Sequence, residues 1–113
     1  MLAPLLALAA NPALAHAIVV ASEPKAQEVV TTPSLNIDIR FNSRIDAGRS
    51  RLLLLIPKSA NSPSVILPLE GGETDALRAT ALNLENGSYE LLWQTLSVDG
   101  HITRGVIPFE VKR

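Results

Sequence analysis

The segment Leu35-Asn36-Ile37-Asp38-Ile39-Arg40-Phe41 alternates apolar and polar residues without a break. A period of two dictates an extended strand with one buried face, and no helical stripe can be drawn through it. Glycine, proline, serine and asparagine punctuate the rest of the chain every eight to twelve residues, and no long 3.6-residue period appears. Further strands are expected at 17–22, 51–56, 64–69, 77–82, 88–97 and 105–111. Turns are expected at Glu23-Pro24, Thr32-Pro33, Asp46–Gly48, Asn61–Pro63, Gly71-Gly72 and Asn86-Gly87. About seven short strands in roughly a hundred residues predict an all-β chain, an immunoglobulin-like Greek-key β-sandwich. Leu84-Glu85-Asn86-Gly87-Ser88-Tyr89 fits a tyrosine corner, in which the phenol ties a strand to the loop before it. Tyr89, Leu91 and Trp93 then share one strand face, and Trp93 is expected to fill the core.

Residues 2–15 carry no charge and are almost wholly apolar, with Ala13 and Ala15 at the −3 and −1 positions of a small-x-small cleavage site. Residues 1–15 therefore read as a secretory signal peptide, and 16–113 as one exported domain. The apolar run is shorter than the ~20 residues of a spanning helix, and Asn11 and Pro12 interrupt it, so no membrane span is expected after processing. The chain has no cysteine, which leaves stability to packing and excludes both a disulfide framework and a thiol nucleophile. The net charge of −1, with lysines and arginines scattered, argues against nucleic acid as a partner. Arg44, Arg49 and Arg51 are expected on the solvated surface.

Little catalytic chemistry is legible. No Gly-x-Ser-x-Gly elbow is present, and nothing pairs a serine with either of the two histidines, His16 and His101. The exception is Ser97-Val98-Asp99-Gly100-His101. If extended, this stretch puts Asp99 and His101 on one face with Cα atoms ~6.5 Å apart, near enough to share a metal. Asp-Gly also makes hairpin turns, and taken alone the segment favours the turn. His16 shifts the balance. Cleavage after Ala15 would expose its α-amine, which with the imidazole Nδ1 can chelate one metal. Adding Asp99 and His101 gives three nitrogens and one oxygen, a set suited to one Cu(II) per chain. Soft Cu(I) prefers thioether or thiolate, and Met1, the sole methionine, would leave with the leader.

The mature start His16-Ala17, then Ser22-Glu23-Pro24, the 35–41 strand, Gly87-x-Tyr89-x-Leu91-x-Trp93, Ser97-Val98-Asp99-Gly100-His101 and Gly105-x-x-x-Phe109-x-Val111 together resemble the periplasmic copper-binding CopC family. The resemblance implies an immunoglobulin-like sandwich, Cu(II) binding by His16, Asp99 and His101, and copper handling in the periplasm, often beside a CopD-type inner-membrane protein. Family members often carry a Glu two residues after the strand Phe, where this chain has Ser43. The histidine that many have at mature position three is Ile18, and the methionine-rich Cu(I) site of some members is missing. The expected role is a copper carrier or buffer and not an enzyme. A mono-copper histidine-brace oxidase is the enzymatic alternative, though an Asp ligand would fill a position that oxygen chemistry needs open. A metal-free sandwich serving adhesion or assembly is the third.

Overall fold

The computed structural model describes residues 17–56 and 64–113. Among the described residues, eight strands form two sheets: β1 (Val19–Glu23), β2 (Glu28–Val30), β3 (Leu35–Phe41), β4 (Arg51–Leu55), β5 (Ser64–Ile66), β6 (Ala76–Ala81), β7 (Gly87–Leu96) and β8 (Ile102–Val111). A three-stranded sheet has the order β1-β3-β6, and a five-stranded sheet the order β2-β8-β7-β4-β5. All pairings are antiparallel except β2 with β8. β3 has the bounds that its alternation predicts, and Ile37, Ile39 and Phe41 are its buried set.

The expected strands are all present with ends shifted by a few residues, and one strand is additional. β2 is three residues long, too short to show a period. It exists because Glu28, Val29 and Val30 lie in register with Phe109, Glu110 and Val111. The expected turn at 61–63 lies outside the described residues. Arg44, Arg49 and Arg51 are exposed, as expected.

The facing sides of the sheets bury one apolar core, to which β3 contributes Ile37, Ile39 and Phe41, β4 contributes Leu52 and Leu54, and β7 contributes Leu91. Burying each such side chain contributes about 1.5–3 kcal/mol. Trp93 and Phe41 pack edge to face across the sandwich, with ring centroids 5.0 Å apart at 68°. Tyr89 stacks on Phe109, its register partner, at 5.3 Å. The Tyr89 hydroxyl donates to the Glu85 carbonyl at 2.6 Å, which closes the expected tyrosine corner.

One end of the sandwich gathers five pieces of chain: the residues before β1, those after β3, the 3-10 turn at Ala47–Arg49, the residues before β6, and the tip of the β7–β8 hairpin. Short bonds hold them together. Asp46 N donates to Leu96 O at 2.8 Å, Ile45 N to Thr74 O at 2.8 Å, and Ile45 bridges to Ser97.

Candidate metal centre

The β7–β8 ladder stays paired up to Leu96 and Ile102, and residues 97–101 close it. Ser97 N donates to His101 O at 2.8 Å, and Gly100 N donates to Ser97 O at 2.9 Å. Gly100 has φ +95°, a left-handed conformation that a residue without Cβ enters without clash. The segment is therefore a turn, and the extended alternative with Asp99 and His101 on one strand face is corrected.

The turn nevertheless brings the two side chains together. His101 N donates to Asp99 Oδ1 at 3.3 Å, an Asx-type clasp between residues i and i+2. The imidazole Nδ1 lies 3.1 Å from the same oxygen. Both side chains are about half exposed, at 47% for Asp99 and 54% for His101. The hydrogen bond from the His101 side chain holds the Asp99 carboxyl below the usual aspartate range, with smaller help from the His101 backbone N–H. Asp99 is thus ionised at neutral pH.

Two donors bound side by side to one ion at ~2.0–2.1 Å lie roughly 2.8–3.4 Å apart, for angles from square to tetrahedral. The Oδ1–Nδ1 separation of 3.1 Å falls inside that range. The pair fits as two neighbouring ligands once a metal takes the place of the Nδ1 proton that the hydrogen bond now uses. Among the described residues there is no group of three or more His, Cys, Asp or Glu that could hold a metal.

His16 lies outside the described residues. The residues that follow it do not. Ala17 is buried, Ile18 N donates to Asn42 Oδ1 at 2.9 Å, and Asn42 N donates to Ile18 O at 2.9 Å. Asn42 is three positions from Ile45, which bridges to Ser97 at the foot of the turn. The backbone at 17–18 is thereby clamped to the end of the sandwich that carries Asp99 and His101. Asn42 was not singled out by sequence reasoning. Its only signal is its place directly after the last residue of the alternating strand. Ser43 follows it, half-buried. Beneath the turn, Thr95, Ser97 and Thr103 place buried hydroxyls without a hydrogen-bond partner at the polar end of the core.

Two facing sheets, an aromatic core and a tyrosine corner define an immunoglobulin-like β-sandwich, with two metal-competent side chains on the tip of its longest hairpin. Residues 19–112 match the CopC domain, and the chain belongs to the CopC family. Protein YobA of Escherichia coli K12 is 33% identical over 101 residues, a match that covers 87% of this chain and 80% of that protein. Among solved structures, CopC from Methylosinus trichosporium OB3b superposes with a TM-score of 0.74 at 25% identity, covering 86% of this chain and 94% of that one. PcoC from E. coli, described as a methionine-rich copper resistance protein, shares the fold with a TM-score of 0.70 at 22% identity, covering 87% of this chain and 100% of its own.

Proposed function

We propose that this chain is a periplasmic Cu(II)-binding protein of copper homeostasis or resistance that carries or buffers one Cu(II). The ligands are the His16 amine and imidazole, the Asp99 carboxylate and the His101 imidazole. The observation that carries the reading is the 3.1 Å approach of Asp99 Oδ1 to His101 Nδ1 at the end of the sandwich where residue 17 is clamped. Membership of the CopC family supports it, as do the two copper-protein namesakes whose fold the chain shares.

Each residue has a distinct part. Asp99 supplies a carboxylate that is already ionised, so no proton must leave it at neutral pH. His101 supplies an imidazole on a turn that two backbone bonds hold in shape. The amine and imidazole of His16 close a chelate ring, and Asn42 fixes the backbone from which His16 extends. With no cysteine, and methionine only at position 1, the donor set is nitrogen and oxygen and favours Cu(II) over Cu(I). Cleavage between Ala15 and His16 accompanies export, and a CopD-type inner-membrane protein is the expected partner.

A Cu(II) titration of protein whose N-terminus is verified by mass spectrometry tests the proposal. One equivalent bound tightly, with a tetragonal nitrogen–oxygen EPR spectrum, is expected. Absence of tight Cu(II) binding would overturn it and leave the metal-free reading. Reductant-driven peroxide formation by the loaded protein would instead favour the oxidase.

A further inference from the structure

The outer face of the five-stranded sheet carries an apolar row that runs straight across four strands. Ile66 on β5 pairs with Leu53 on β4, Leu53 with Leu92 on β7, and Leu92 with Val106 on β8. Ile66 and Val106 are 66% and 50% exposed, and Leu53 and Leu92 are half-buried. The two flanking rows carry opposite charge. Toward the hairpin tip, Arg51, Gln94 and Arg104 lie side by side, with Arg104 Nε donating to Gln94 Oε1 at 2.8 Å. On the other side, Glu90 stands at the centre of its row, between Leu55 and Pro108. Among the described residues, neither arginine nor Glu90 forms an ion pair.

We infer that this face is a homodimer surface and that its occupant is a second copy of the chain. A two-fold axis lying in the interface, parallel to the apolar row, sets row against row. The same rotation carries the Arg51–Gln94–Arg104 row of each copy over the Glu90 row of the other. Strands are about 4.8 Å apart, so each Glu90 carboxylate falls between two guanidinium groups of the partner, each one strand to the side. The face is self-complementary in shape pattern and in charge, which is what an isologous contact requires. The strands of the two sheets then run nearly aligned, the usual arrangement of stacked twisted sheets.

Four strands about 4.8 Å apart and three rows about 6.8 Å apart give a footprint of roughly 400 Å² per copy, about 800 Å² in all. That is below the roughly 1,000 Å² of a stable specific interface, so the dimer is weak and depends on concentration. The rotation also points the two hairpin tips in opposite directions, which leaves residues 97–101 of both copies uncovered. The inference is independent of the metal reading and is tested on metal-free protein.

Sedimentation velocity from about 10 µM to 1 mM should show a reversible monomer–dimer shift. Glu90→Arg alone, and Arg51→Glu with Arg104→Glu alone, should each sediment as monomers with unchanged circular dichroism. An equimolar mixture of these two variants should associate again, because one set of arginine–glutamate contacts is kept as in the wild type and the other is restored with its charges exchanged. A wild-type protein monomeric up to about 1 mM would overturn the inference. So would variants that self-associate like wild type, a mixture that stays monomeric, or assembly beyond a dimer.

Discussion

Gly105 lies directly across the β7–β8 ladder from Trp93, and the indole occupies the space that a Cβ on residue 105 would need. The obstructing atoms belong to a buried ring held against Phe41, so they cannot swing aside as the end of a flexible side chain would. Gly105→Ala should destabilise the fold by about 1–3 kcal/mol, the usual cost of overpacking a filled core. Chemical denaturation followed by Trp93 fluorescence reads both the loss and the displaced ring. Unchanged stability would mean that the indole is not seated as described.

The corner bond from Tyr89 to Glu85 makes a second prediction. Tyr89→Phe keeps the stack on Phe109 but leaves a carbonyl without its donor. A loss of about 1–2 kcal/mol is expected, seen as a lower Tm, with metal binding retained once folded.

The pH behaviour of the hairpin tip follows from the direction of the Asp99 shift. The native carboxyl holds its proton less tightly than in the unfolded chain, so the contribution of the pair to folding is present above the ordinary aspartate pKa. It fades as pH falls through the lower, native value. An NMR titration of metal-free protein should place Asp99 below the usual range, and His101→Ala should return it toward that range. Because both side chains are half exposed, the accompanying change in Tm should be small.

Asp99→Ala and His101→Ala should each weaken Cu(II) binding by at least about 100-fold, since each deletes one donor of four. Neither should unfold the protein. Competition titration against a Cu(II) chelator measures the loss, and wild-type affinity in both variants would remove these residues from the proposed ligand set.

One residue added ahead of His16 converts the amine into an amide, which keeps its proton at neutral pH, whereas an α-amine near pKa 8 yields it to a metal. The extended protein should bind Cu(II) far more weakly and with an altered EPR spectrum. An unaltered spectrum at equal affinity would show that the amine is no ligand.

What could be read from the residues alone depended on the range of the signal. The β3 alternation and the tyrosine corner are local patterns, and both appear as expected. β2 was invisible because three residues hold no period and only the distant β8 makes them a strand. The apolar row on the outer sheet was equally hidden, since Ile66, Leu53, Leu92 and Val106 become neighbours only once four registers are known. Asp99 and His101 do meet, though the extended geometry that first suggested it is not the one adopted. An Asx-type turn brings residues i and i+2 together as effectively as a shared strand face.

The place of β8 sets when the molecule can fold at all. The last of the described strands along the chain, β8, is an inner one, with β7 on one side and β2 on the other. Glu28 waits roughly eighty positions for Phe109, its register partner. A chain that has not yet placed β8 therefore holds β2 without a neighbour and β7 with one side open. Contacts so distant in sequence form late and as a unit. The chain should thus stay unfolded and protease-sensitive until β8 is in place, and then close in one step.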